Sequence, residues 1–323
     1  MKVIRKIEEI PEEFKGSIIT IGNFDGIHLG HRAIFQKLVT EARRLSSRSV
    51  VITFDPHPKK ILHPERRPFF LLTHLDEKLR LIESIGIDAV VVLPFTKEFA
   101  TTSSGDFIRD FLWNAFRMRK IYVGYDYTFG KDKGGDWHFL KAFGDRLGFS
   151  VEKIEAIKTG KIITSSTSIR LAILDGDVAL ACRMLGRPYN VRGTVVRGYR
   201  RGSILGYPTA NIEADKVIPA VGVYAITAET DGLSYRGVLN IGYNPTFENP
   251  EISTEVHLID FQGDIYGKHL EILFIDRLRN EIKFSSADKL VEQIRRDIER
   301  ARCILDAYRP CNDNRGRTNS EDS

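Results

Sequence analysis

Over its first half the chain alternates short, unbroken apolar runs with longer segments whose apolar residues recur every three or four positions. SIITI (17–21), SVVITF (Ser49–Phe54), AVVVL (Ala89–Leu93), IYVG (121–124) and SVEKIEAI (150–157) read as strands; runs without polar alternation suit strands covered on both faces. Between them, Ile34, Leu38, Ala42 and Leu45 fall on one helical face, and LDEKLRLIESIG (75–86) is a helix ending at glycine. Phe107, Ile108, Phe111, Leu112 and Ala115 mark another helix, and a further one is centred on Leu140. Repeated strand–helix–strand units predict an α/β domain: an open parallel sheet with helices on both faces. Such sheets bind ligands at the carboxyl ends of their strands.

The pattern changes near Gly186. VRGTVV, GVYAIT, YRGVLNIG, TEVHLIDF and LEILFIDRL are short runs bounded by glycines, the pattern of an antiparallel barrel or sandwich. One amphipathic helix, 286–308, closes this half, with Leu290, Ile294, Ile298 and Leu305 as its buried stripe. The expected division is 1–185 for the α/β domain, 186–308 for a small antiparallel β-barrel closed by a helix, and 309–323 for a polar, disordered tail. The turn-rich LGRPYN (185–190) marks the boundary.

Composition narrows the class. Hydrophobic residues make up 42% and charged residues 28% of 323, enough apolar material for packed cores. The net charge of +5 suits anionic partners such as nucleotides, nucleic acid or phosphorylated metabolites, without choosing among them. Cys182, Cys303 and Cys311 form no CxxC pair, which argues against a disulfide framework and fits a reducing cytoplasm. The N-terminus has no apolar signal core, and no apolar run approaches the ~20 residues that span a bilayer. A cytoplasmic protein without a membrane partner is expected.

The chemistry concentrates first in GNFDGIHLGHRAIF (22–35), just past the first long strand. Its glycines let backbone approach a ligand, and the helix start beyond them offers free N–H groups to phosphate. His28 and His31, three apart, can present both rings to one side, where they would neutralise charge growing on a phosphate. That combination suits nucleotidyl transfer from a nucleoside triphosphate. Ordinary loop and cap residues would fit an isolated HxxH equally well, and a zinc pair completed by His57, His63 or His74 is a third reading. Ser165, Ser166 and Thr167 precede a helical apolar pattern and suit an N-cap.

GNFDGIHLGH closely resembles the signature of the bacterial riboflavin kinase/FAD synthetase family, in its FMN adenylyltransferase half. TFDPHP (53–58), VGYDYTFG (123–130) and ITSSTSIR (163–170) match further motifs of that family in order. The resemblance implies a Rossmann-like nucleotidyltransferase domain in which His28, His31 and Arg170 are catalytic. Gly22, Asn23, Phe24, Asp25, Gly30, Asp55, His57, Asp126, Ser165, Ser166 and Thr167 would contact ATP or flavin. The segment 165–170 would meet the ATP phosphates, with Arg170 pairing an anionic oxygen, and the His57 loop would lie over the site.

No Walker A motif occurs, so a P-loop kinase is excluded. In LGYPTANI (205–212), Thr209 and Asn211 are two apart and face one way on extended backbone, offering hard oxygen donors to a cation that also holds phosphate. A polar strand edge is the plainer reading. From GRPYNVRGTVVRG to RLRNEIKF, however, the second half resembles the riboflavin kinase domain throughout. That implies Mg²⁺ held by Thr209 and Asn211, nucleotide contacts from Gly206, Pro208 and Asn211, and Glu255 as the general base at the ribityl hydroxyl, with Arg279 and Glu281 towards the flavin. Ser203 stands where relatives often carry a basic residue, which Arg200 or Arg201 would replace; Tyr207 replaces the commoner phenylalanine.

The expected function is phosphorylation of riboflavin to FMN and adenylyl transfer from ATP to FMN, giving FAD, with Mg²⁺ as cofactor and no nucleic-acid partner. Three alternatives remain: a nucleotidyltransferase for another phosphorylated acceptor, an enzyme with one live half, and a basic regulatory barrel binding nucleic acid through Tyr199, Arg200, Arg201, Tyr207 and Tyr243.

Overall fold

The computed structural model describes residues 1–65, 69–196, 206–214, 216–243 and 252–309. Tyr199, Arg200, Arg201, Ser203 and the tail from 310 lie outside the described residues. The chain forms two compact units, Met1–Thr164 and Ser165–Ser323.

The first unit is a six-stranded sheet in the order β1 (Lys2–Ile4), β4 (Ala89–Leu93), β3 (Ser49–Phe54), β2 (Ile18–Ile21), β5 (Lys120–Gly124), β6 (Ser150–Ile154). All five pairings are parallel. Alternate residues of the strands feed two cores. Ile19, Ile21, Val50, Ile52, Ile121 and Val123 pack with Phe107, Ile108, Leu112 and Leu140 on one face. Ile18, Val51, Val90, Val92 and Tyr122 pack with Ile34, Phe35, Leu38, Val39, Ala42 and Ile82 on the other. That two-sided burial is why the strands are apolar without alternation. The helix Leu29–Arg44 covers the second face through Phe35 and Leu38, both fully buried, so truncating either to alanine would cost about 2–5 kcal/mol. The helix Leu75–Glu83 stops three residues before Gly86, whose φ of 92° takes the chain into the next strand. The helical stretch around Phe107 contains a π-helical segment, Phe107–Trp113. Sequence periodicity gave no sign of it, because widening the turn leaves the apolar stripe in place.

The strand order reverses direction at β2: β3 and β4 follow on one side of it, β5 and β6 on the other. The crevice at the carboxyl ends of β2 and β5 is therefore the place where such sheets take ligands.

The second unit begins with two helices, Ser166–Leu174 and Val178–Leu185. It continues into a closed antiparallel barrel, β10 (Ala210–Ala214), β13 (Ile252–Leu258), β12 (Leu233–Tyr243), β11 (Gly222–Thr230), β14 (His269–Arg279) and β9 (Tyr189–Val196). A two-stranded ribbon, β7 (Lys158–Thr159) with β8 (Ile162–Ile163), ends the first unit. Val191, Ile212, Leu239, Val256, Ile272 and Phe274 are among the buried residues of the barrel strands. On the outer side, Val223, Ala225, Ile275 and Leu278 are covered by Ala301 and Leu305 of the C-terminal helix Ala287–Ala307. Of the expected stripe, Leu305 is buried and Ile298 packs beside it, while Leu290 and Ile294 are only half-buried. Val178–Leu185 packs on β14 and β9, so the helix pair belongs with the barrel rather than ending the α/β domain at 185.

Candidate functional site

In the first unit the backbone leaves β2 and turns sharply. Phe24 (φ 47°), Gly26 (φ 90°) and Ile27 (φ 40°) all take left-handed conformations. For Phe24 and a β-branched Ile27 this is strained backbone, costing about 1–3 kcal/mol each. Burial of both side chains holds it, at 4% and 1% exposure. Asp25 adds a second fastening. It is buried, and its carboxylate accepts from the N–H groups of Leu72 (3.0 Å) and Thr73 (3.1 Å). Thr73 Oγ1 accepts in turn from Gly26 N–H at 3.0 Å. These bonds of Asp25 tie the loop to 72–73.

His28 is the N-cap of the helix Leu29–Arg44, its Nδ1 accepting from His31 N–H at 3.4 Å. The two imidazoles stack, centroids 3.6 Å apart at 22°, and Phe24 meets His31 edge-on at 5.1 Å. Gly30 makes room for this: a Cβ there would lie 3.1 Å from His28 Cε1. His31 Nδ1 is buried with no partner among the described residues. Burial, then the neighbouring His28 and Lys78, push His31 well below the usual imidazole range, so it is neutral at physiological pH. Among the described residues no three His, Cys, Asp or Glu side chains gather as a metal centre, so the histidine pair finds no third zinc ligand there.

Asp55 and His57 follow β3, the neighbour of β2 on one side; Asp126 follows β5, the neighbour on the other. Asp55 and Asp126 are exposed. His57 is buried and caps the short helix Pro58–Leu62, its Nδ1 accepting from Lys59 N–H at 3.1 Å. Gly22, Asn23, Phe24, Asp25, His28, Gly30, His31, Asp55, His57 and Asp126 therefore all stand at the carboxyl ends of three adjacent strands.

Ser165, Ser166, Thr167 and Arg170 lie in the second unit. Ser165 is the N-cap expected of it: its Oγ accepts from Ser168 N–H at 3.1 Å, and Ser168 Oγ returns the bond at 2.9 Å. Arg170 Nη1 donates to Ser166 O at 3.3 Å.

In the barrel, cross-strand register assembles a second constellation. Glu255 of β13 stands opposite Asn211 of β10 and also opposite Asn240 of β12. Opposed residues share a face, and this is the outer face, because Thr254 and Val256 on either side of Glu255 are buried. Thr209 Oγ1 donates to Glu255 Oε2 at 3.4 Å. Pro208 O lies 2.9 Å from His257 Nδ1, and Tyr207 packs on the His257 ring at 5.6 Å. Arg295 of the C-terminal helix donates to the Tyr207 hydroxyl at 3.2 Å. Gly206, just before, has φ 84°, which suits glycine alone. Sequence reasoning singled out neither Asn240 nor Arg295; the only hint of Asn240 is its place in the quoted strand GVLNIG.

Arg279, which the resemblance places towards the flavin, reaches the C-terminal helix. It is committed to a buried pair with Asp297 of the C-terminal helix, Nε to Oδ2 2.9 Å and Nη2 to Oδ2 2.8 Å, with Gln293 adding a bond to Asp297.

Comparison with known proteins agrees with both halves. A family model described as FAD synthetase matches residues 10–168, and one described as riboflavin kinase matches 185–305. A bifunctional riboflavin kinase/FMN adenylyltransferase of Escherichia coli K12 is 38% identical, covering 96% of this chain and all of that protein. Its Pseudomonas fluorescens counterpart is 36% identical over 94% of this chain and 98% of its own. A Streptococcus pneumoniae crystal structure described as a macrolide-efflux protein superposes with TM-score 0.84 at 36% identity, covering 93% of this chain and 98% of that one. Among the described residues of this chain, no helix is long and apolar enough to cross a membrane.

Proposed function

The chain belongs to the family of bifunctional riboflavin kinase/FMN adenylyltransferases, and from that premise we propose which residues of each half do its chemistry. The barrel half phosphorylates riboflavin with ATP to give FMN. The α/β half transfers AMP from a second ATP to FMN.

In the kinase step Glu255 takes the proton of the ribityl 5′-hydroxyl as its oxygen attacks the γ-phosphorus and ADP leaves. Thr209 and Asn211 fit Mg²⁺. They offer a hydroxyl and an amide oxygen on one face beside a carboxylate, the sparse oxygen set this ion accepts when phosphates and water complete its shell. When bound, the ion would neutralise phosphate charge. Gly206 and Pro208 shape the approach of the nucleotide, and Asn240 flanks Glu255 on the far side.

In the transferase step a phosphate oxygen of FMN attacks the α-phosphorus of ATP. The new P–O–P bond forms as the bond to pyrophosphate breaks, with no covalent enzyme intermediate. Neutral His31, and His28 stacked on it, donate ring N–H hydrogen bonds to phosphate oxygens, and the helix start adds its partial positive charge. Asp25 positions the loop; Gly22, Asn23, Phe24, Gly30, Asp55, His57 and Asp126 line the mouth. The role of Ser165, Ser166, Thr167 and Arg170 at ATP phosphates rests on the resemblance alone.

The observation that carries the reading is the pairing of Glu255 with Thr209, Asn211 and Asn240, a base and hard donors gathered at one place on the outer face. The test is to incubate the chain with riboflavin, ATP and Mg²⁺ and separate the flavins over time. FMN rising before FAD is expected; FMN alone would leave the histidine mouth without its acceptor, and no product at all would overturn both assignments.

A further inference from the structure

Lys78 is a charged side chain that none of these assignments uses. It lies on the helix Leu75–Glu83, yet is only 5% exposed. Removing an ammonium from water costs several kcal/mol unless partners replace the water. Its Nζ donates to Asn23 O at 2.7 Å and to Thr53 Oγ1 at 3.3 Å. Thr53 Oγ1 also donates to Asn23 O, at 3.2 Å. Asn23 belongs to the loop after β2, and Thr53 lies one residue from the end of β3. The three groups close a triangle that joins the two strand ends at the mouth.

We propose that Lys78 is a positioning residue for adenylyl transfer: its ammonium clamps the loop carrying Asp25, His28 and His31 onto β3 and sets a positive charge behind the phosphate-binding mouth. The inference rests on reading this mouth as the adenylyl-transfer site.

A lysine doing no more than filling this space would be replaceable by methionine, which has similar length and no charge to bury. A buried charge that breaks the local rule points to function when it faces a site. The charges around it are those of the mouth. Burial lowers the Lys78 ammonium below the usual lysine value, and Asp25 and Asp55 oppose that drop. Lys78 in turn is one of the groups, after burial and His28, that disfavour a proton on His31. Losing Lys78 would therefore raise the pH at which His31 takes up a proton, moving the acidic limb of the adenylyl-transfer profile upward.

The experiment uses Lys78→Met and Lys78→Gln in the full chain. FAD formation from added FMN and FMN formation from riboflavin are measured on the same preparation. The wild type comes first: if it makes no FAD from FMN, the reading of the mouth has failed and the inference falls with it. Given wild-type FAD formation, Lys78→Met is expected to lose on the order of 100-fold in kcat for that step, because small displacements of a reacting geometry cost that much. Riboflavin phosphorylation should stay within about twofold, because the residues assigned to that step belong to the other compact unit. The acidic limb should move upward in both variants, while Lys78→Gln, still able to donate to Asn23, keeps more of the kcat. Wild-type FAD kinetics in Lys78→Met, an unmoved acidic limb in both variants, or equal loss of both activities would each overturn the inference. Should Lys78→Met fail to fold, Lys78→Gln decides by its limb.

Discussion

The loop after β2 and the face where β10 meets β13 both gather polar groups for ATP chemistry, but they are built from different materials. The β2 loop draws its groups from a contiguous stretch of sequence and bends strained backbone to aim them. Phe24 and Ile27 sit in left-handed conformations under full burial, and Asp25 nails the loop to 72–73. The barrel face uses unstrained strands. Asn211, Asn240 and Glu255 meet because antiparallel register brings them opposite one another, and Thr209, just before β10, joins them by its bond to Glu255. A site of the first kind is legible as a motif and depends on distant fastenings. A site of the second kind is scattered in the sequence and depends on register.

The comparison breaks most sharply at the reacting groups. Glu255→Gln should lower riboflavin phosphorylation about 10²–10⁴-fold, the usual worth of a general base, leaving FAD formation from added FMN unchanged. The reciprocal change, His31→Ala, should lower FAD formation about 10²–10³-fold with FMN formation intact. Separate assays of the two products check both, and a crossed effect would show that the sites are not independent.

The fastenings come next. Asp297→Ala leaves the partly buried Arg279 without its carboxylate, and the loss of a buried pair typically costs up to about 3–5 kcal/mol. The kinase activity should therefore disappear at lower urea than in the wild type, while FAD formation from added FMN keeps its midpoint. Asp25→Ala should cost less, about 1–3 kcal/mol for buried amides left without an acceptor. Its signature is a fall in FAD formation larger than the fall in melting temperature would suggest.

The smallest effect concerns acid. Hydrogen bonding to Arg44 first, then Lys120, lowers the Glu41 carboxyl from 4.5 to about 2 in the folded chain. A depressed folded value means stabilisation that is complete above pH 4.5 and lost as pH falls towards 2. Arg44 is largely exposed, so solvent weakens the pair. Glu41→Gln should therefore slightly lower the melting temperature at pH 7 and slightly flatten its drop across that window, the two proteins converging towards pH 2.

Much of the first unit could be read in advance. SVVITF and AVVVL coincide with their strands because a parallel sheet buried on both faces selects apolar runs, with polar exceptions such as Thr53 hydrogen-bonded inside. What escaped reading is what depends on partners far along the chain. Lys78 sits in LDEKLRLIE, where a lysine looks like a solvent-facing residue; its partners are a carbonyl and a hydroxyl in other segments. The motif marks Asp25 as a ligand contact and gives no hint that the amides of Leu72 and Thr73 bond to it. Arg279 fastens the last helix through Asp297, a partner eighteen residues on that the strand pattern does not announce. The boundary expected at 185/186 followed the change from helices to short strands, whereas contacts group the helix pair with the barrel it covers.

The closure of the barrel also sets an order of events during synthesis. Every strand of the parallel sheet has left the ribosome once Ile154 has emerged, and each pairs with neighbours already made. The barrel must wait. Its first strand, β9, stays unpaired on the β14 side until residues 269–279 appear, and its outer apolar face stays bare until Ala287–Ala307 follows. Domains fold as units from the N-terminus as the chain grows. The nascent polypeptide thus carries a finished parallel sheet, with its histidine mouth, before the barrel that makes FMN exists, and in that interval the barrel strands stand exposed.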